Sequence, residues 1–95
     1  MKTGIELIAE ERQRQIEKEG WTPEHNDEHN DQSLLAAAVC YAETTLMGEG
    51  RTIYNWPWDE REFKPSNDVR NLVKAGALIA AEIDRINRAA VKKEA

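Results

Sequence analysis

Apolar side chains recur at helical spacing in three stretches of the 95-residue chain. The first covers residues 4–19, where Ile5, Ile8, Ala9 and Ile16 form a stripe that Arg12 interrupts. Thr3-Gly4-Ile5-Glu6 reads as a capping box ahead of it. Gly20 stands where a helix-ending glycine belongs, with Trp21 after it as a packing residue. The second stretch, 33–47, opens on Leu34-Leu35-Ala36-Ala37-Ala38-Val39-Cys40-Tyr41. Apolar residues all round a helix predict the central, most buried element. Asp31 or Ser33 would cap it and Gly48 would end it. In the third stretch, 67–90, Val69, Leu72, Val73, Gly76, Ile79, Ala80, Ile83 and Ile86 mark the face expected in the core. Ser66, Asn67 or Asp68 would cap that helix, and the turns from Arg88 to Ala95 would run past the core. No alternating strand pattern stands out. The pattern predicts one all-α domain over 1–95 with three main helices.

Two connectors separate these helices. In the first, Thr22-Pro23 is a helix-start signal, followed by the tandem Glu24-His25-Asn26-Asp27 and Glu28-His29-Asn30-Asp31. Asn and Asp favour caps and turns, so this reads as a loop or ragged turn. If it were helical, His25 and His29 would share a face. Three readings stay open for it: a cap-rich connector, a ligand contact, or a transition-metal site. The second connector, 48–66, holds Tyr54, Trp56, Trp58 and Phe63 with Gly50, Pro57 and Pro65. Loops of that length in small domains are often functional. Trp56 and Trp58, held apart by Pro57, could stack a nucleobase or plug a core too thin to close itself.

Composition explains why the core would be thin. Apolar residues make up 40% of the chain, and twelve of them are Ala. Close packing of the Ala and Gly76 faces into a homo-oligomer is the expected remedy. The single Cys40 cannot form an internal disulfide and sits in an Ala-rich stretch, which suits a core filler in a reducing cytoplasm. No apolar run is long enough for a membrane span, and no secretory signal opens the chain. Thirteen basic against eighteen acidic residues give a net charge of −5, which argues against direct DNA binding. Residues 21–50 carry six acids and no Lys or Arg, whereas residues 51–95 carry nine basic and seven acidic groups. A phosphate site should therefore draw on the ends of the chain.

The basic candidates are Arg70 and Lys74, four apart on the third helix, with Arg14 and Lys18 similarly spaced on the first. Such pairs can clamp phosphate or lie solvated beside acids. Metal candidates are weaker. Glu43 is the one acid in the second helix, and Glu82 and Asp84, two apart, point to different sides of theirs.

Two segments carry a family resemblance. Glu11-Arg12-Gln13-Arg14-Gln15, Lys18 and Gly20-Trp21, with Leu72-Val73-Lys74-Ala75 through Ala80-Ala81-Glu82-Ile83-Asp84-Arg85, resemble small phage and prophage MazG-like proteins of the all-α nucleoside triphosphate pyrophosphohydrolase superfamily. The resemblance implies an oligomeric helical core that binds a nucleotide and Mg²⁺ and cleaves between the α- and β-phosphates. This chain departs from that pattern. The enzymes carry Glu-Glu-x-x-Glu on one helix and Glu-x-x-Asp on another. Here the central helix begins Leu34-Leu35-Ala36-Ala37-Ala38-Val39, and Glu82 and Asp84 have a different spacing. Two-metal phosphoryl chemistry needs clustered carboxylates. The expectation is therefore a cytoplasmic binder of a nucleotide or nucleotide-derived signal without turnover, an anti-defence sponge. Its expected site is Trp21, His25, His29, Trp56, Trp58, Arg70 and Lys74. The alternatives are a Mg²⁺-dependent pyrophosphohydrolase and an acidic module that occupies a host protein.

Overall fold

A computed structural model describes residues 1–28, 32–48 and 56–94. Among the described residues four helices follow in chain order, α1 (Gly4–Lys18), α2 (Pro23–Asp27), α3 (Ser33–Met47) and α4 (Asp68–Glu94), with a 3₁₀ turn at Glu60–Glu62. No strand occurs among the described residues. None of the helices is long and apolar enough to cross a membrane.

The ends of α1 follow from its sequence. The Thr3 hydroxyl accepts from the Glu6 N–H, and the Thr3 N–H donates back to the Glu6 carboxylate at 2.8 Å. Gly20 takes a φ of +75°, the left-handed conformation that favours glycine, and the Trp21 N–H then reaches the Gln15 carbonyl at 3.0 Å. Thr22 caps α2 through the His25 N–H, and Pro23 begins that helix. The first acidic tetrad is thus mostly one helical turn rather than a loop. His29, Asn30 and Asp31 lie outside the described residues, so a shared face for His25 and His29 does too.

The start of α3 differs from the two caps expected. Ser33 is already helical, and the cap is Gln32 at a φ of 68°, without a side-chain hydrogen bond. Asp31 falls outside the described residues. Asn67 caps α4, its side chain accepting from the Arg70 N–H. Just inside that cap, the buried Asn71 side chain bonds both the N–H and the carbonyl of Ser66, fixing the entry to the helix.

The central element is α4, not α3: α1, α2 and α3 all pack against it, α3 most extensively. The core gathers Leu34, Ala37, Ala38, Cys40 and Tyr41 of α3, Trp56, and Ala75, Leu78 and Ala81 of α4. Three sequence expectations are corrected here. First, α3 is not buried all round, since Leu35, Val39, Leu46 and Met47 face outward. Second, most of the apolar face expected to bury α4 is on the outside. Val69, Leu72, Ile79, Ile83 and Ile86 are 44–58% exposed, and Asn71, Val73, Ala75, Ala77, Leu78, Ala81 and Glu82 turn inward instead. Alanines on α4 let α3 come close, so the small-residue face is the internal one. Third, Gly76 admits a helix of its own chain. A Cβ there would stand 2.6 Å from Cδ1 of Ile8. The turns after Arg88 do run past the core, exposed from Ala89 to Lys93, while Arg88 itself bonds the Asp27 carboxylate and the Pro23 carbonyl, tying α2 to α4.

Candidate functional site

The buried side of α1 is polar. Ile8, Glu11 and Gln15 follow at i, i+3 and i+7, and Glu11 and Gln15 are 2% and 1% exposed. A carboxylate so buried needs partners, and it has two. Arg14 grips it with Nε and Nη2, both at 2.8 Å. Arg70 reaches it from α4 through Nη2 at 2.6 Å. A two-point guanidinium fork on one side and a second guanidinium on the other fix the carboxylate in place. Burial pushes the Glu11 carboxyl upward, but the two arginines outweigh it and hold the group below its ordinary value of 4.5.

A cleft opens over this pair. Its walls are Glu11, Arg14, Gln15 and Glu19 of α1, Trp21 of the following turn, Tyr41 of α3, Glu62 and Lys64 of the connector, and Lys74 of α4. The cavity beneath its open mouth is about 20 Å³, room for about one water. The connector is pinned at two atoms: the Lys64 N–H donates to the Tyr41 hydroxyl at 3.1 Å, and the Lys74 ammonium donates to the Lys64 carbonyl. That ammonium also sits 5.5 Å from the Tyr41 ring centre. Burial, with Arg70 and Arg14 nearby, moves the Lys74 pKa below its ordinary value despite the opposing pull of Glu11. The Trp21 carbonyl accepts from Arg12 and Asn26, which fixes the Gly20-Trp21 turn at the rim.

Two properties of this cleft point to a ligand. Arg14, Lys64 and Lys74 line it against the three carboxylates Glu11, Glu19 and Glu62, and Arg70 adds a cation beneath the floor, in a chain of net charge −5. In addition, Oε1 of the buried Gln15 has no hydrogen-bond partner. Its Nε2 faces Glu11 at 3.4 Å. A buried amide oxygen without a donor is costly, about 1–3 kcal/mol, and such groups call for an explanation.

Of the seven site residues expected from sequence, three meet here: Trp21 and Lys74 line the cleft, and Arg70 holds its floor. Trp58 is adjacent, half-buried, with its ring centre 5.3 Å from that of Trp21. Trp56 is elsewhere in role. It is 8% exposed, within 4.8–5.5 Å of the rings of Phe63, Trp58 and Tyr41, and its indole N–H donates to the Asp59 carbonyl. That environment makes it the plug, since a base cannot reach its ring without opening the core. His25 is half-buried on α2 and does not line the cleft. Glu11, Gln15, Tyr41 and Lys64 belong to the cleft but were not singled out as site residues. The available signal was two polar residues, Glu11 and Gln15, continuing the spacing of Ile8.

The metal candidates do not come together. Glu43 is half-buried on α3. Glu82 is held by Arg85 at 2.6 and 3.0 Å, and Asp84 is exposed. Among the described residues no group of three or more His, Cys, Asp and Glu side chains could hold a metal ion. Comparison of the chain with protein-family models, curated proteins and solved structures gives no match.

Its pH response follows from Glu11. A carboxyl whose folded pKa is depressed contributes stability that is fully present above its unfolded value and lost as pH falls through the folded one. The stability gap between the native chain and Glu11→Gln should be constant above pH 4.5, the ordinary value of this carboxyl, and close below it. Urea denaturation across acid pH measures that gap; a gap that widens toward low pH contradicts the pairing.

Proposed function

We propose that the protein binds a nucleotide or nucleotide-derived signalling molecule in this cleft and holds it without turnover. The observation that carries the reading is that Arg14 of α1, Lys64 of the connector and Lys74 of α4 line one cleft with Arg70 beneath its floor, beside a buried Gln15 whose side-chain oxygen has no partner. The cations suit phosphate. The Gln15 oxygen suits a donor on the same ligand, a base amino group or a sugar hydroxyl. Trp21 at the rim offers a ring to a base. The cavity proper has room for about one water, so the ligand would lie across the mouth, its phosphate against the cations there.

Binding without turnover is supported by the state of the carboxylates. Glu11 is engaged by two guanidiniums, and Glu19 by Arg14 and Lys64. Each of these carboxylates has a cation beside it instead of standing free to hold Mg²⁺. Membership of that group, a phage or prophage origin, a cytoplasmic setting and an anti-defence role all belong to this proposal. Sequestration of a host signal is the biological form it would take.

Isothermal titration against linear nucleotides, cyclic nucleotides and ADP-ribose derivatives tests the reading. At least one should bind, and Lys74→Met should weaken it about tenfold or more, as expected for one charge-assisted phosphate contact of about 1.5–3 kcal/mol. Binding by none rejects the proposal. Release of pyrophosphate or phosphate from the bound compound rejects the absence of turnover.

A further inference from the structure

Lys74 differs from the other cations of the cleft. Arg14 is paired with Glu11 and Glu19, Lys64 with Glu19, and Arg70 with Glu11. The Lys74 ammonium has no carboxylate partner among the described residues. It donates instead to the neutral Lys64 carbonyl, against the face of the Tyr41 ring. The charged groups around it are Glu11, Arg14 and Glu19 from α1 and its C-terminal cap, Glu62 and Lys64 from the connector, and Arg70 on its own helix; α3 presents Tyr41. Half-buried and near two guanidiniums, the amine gives up its proton more readily than an exposed lysine, although Glu11 and Glu19 pull the other way. A desolvated lysine beside other cations is the setting in which an amine becomes a nucleophile.

The shape of the cleft limits what would reach that amine. The cavity beneath the mouth has room for about one water, enough for a carbonyl group but not for the molecule that carries it. Arg14 and Lys64 line the same cleft with 41% and 62% of their side chains exposed, open to a phosphate held at the mouth. We propose that Lys74 forms an imine with a phosphorylated aldehyde or ketone, its carbonyl at the amine and its phosphate on Arg14 and Lys64. The Lys74 nitrogen bonds to the carbonyl carbon, and the carbonyl oxygen leaves as water with both hydrogens of the neutral amine. No oxidant or reductant is consumed, and hydrolysis reverses the link. A sugar phosphate in its open-chain form carries both groups. No nucleoside is required, so the inference stands apart from the nucleotide reading.

Pyridoxal 5′-phosphate is a suitable probe, with borohydride reduction of the imine and peptide mass mapping on the full native chain. Lys74 should take the label about tenfold faster than Lys2, Lys18, Lys92 or Lys93, which do not line the cleft. Pyridoxal, which lacks the phosphate, should label Lys74 about tenfold more slowly, as expected for one lost phosphate contact. Inorganic phosphate should slow the phosphorylated probe. The rate at Lys74 should reach half its maximum below pH 10.5, the ordinary value of a lysine. Lys64→Met should slow the phosphorylated probe toward the pyridoxal rate, and Lys74→Met should remove the fast label. Label spread evenly over the lysines, fast label on Lys64 instead, or a Lys74 midpoint at or above pH 10.5 overturns the proposal. Equal rates for the two probes overturn the choice of a phosphorylated compound. Nucleotide binding without selective label at Lys74 rejects this inference alone, and selective label without nucleotide binding rejects the nucleotide reading alone.

Discussion

Trp56→Ala is expected to remove about 3–5 kcal/mol of stability. That is a large share of the roughly 5–15 kcal/mol that holds a small domain together. The indole packs against Tyr41, Trp58 and Phe63 and is anchored by its N–H to the Asp59 carbonyl. Truncation would leave a cavity where α3, α4 and the connector meet. It would also loosen the segment that brings Lys64 to the cleft. Trp56→Phe, which keeps an aromatic ring but drops the N–H, should lose less, about 0.5–1.5 kcal/mol for the hydrogen bond plus the packing that the smaller ring gives up. Urea midpoints report both. A Trp56 that served to stack a base would behave oppositely, losing binding at nearly unchanged stability.

Glu11→Ala should cost about 2–4 kcal/mol, because Arg14 and Arg70 would then face each other with no anion between them. Both guanidiniums keep access to water, at 41% and 37% side-chain exposure, which holds the cost to the lower part of the range for a broken buried pair. Arg70→Ala alone should cost less, since the two-point Arg14 grip remains. Combining Glu11→Ala with Arg70→Ala should cost less than the two changes added separately. The expected coupling is about 0.5–3 kcal/mol, read from a double-mutant cycle on thermal or urea unfolding. Additive effects would mean that Arg70 does not contribute to holding Glu11.

Helix positions were legible in the sequence because their punctuation is local. Thr3 with Glu6, Gly20, Thr22 with Pro23, and Asn67 each act within a few residues of themselves. What covers an apolar face is not local. Val69, Leu72, Ile79, Ile83 and Ile86 have the periodicity of a core face, and periodicity is the same whether the neighbour is α3 or solvent. The weaker Ala75–Leu78–Ala81 side wins the interior because small residues let α3 approach α4 closely. The same limit governs the site. Arg70 and Lys74 could be named as a phosphate clamp from their spacing, but their meeting with Arg14 and Gln15 is a matter of how α1 crosses α4. Nothing in the hydropathy of Glu11 and Gln15 says that they are buried. The Trp pair was ambiguous for a related reason, since aromatic residues in a long connector suit a plug as well as a stacking platform. The structure gives Trp56 to the plug and leaves Trp21 at the cleft.

The central claim is that the cleft above Glu11 takes a nucleotide-type ligand. Its most direct test is amide and indole nuclear magnetic resonance of the labelled protein during titration with the nucleotide panel. At least one compound should shift the Gln15 side-chain amide, the Trp21 indole N–H and the backbone amides around Lys64 and Lys74, while the Trp56 indole N–H stays in place. Shifts confined to other parts of the molecule, or none with any compound, would contradict it.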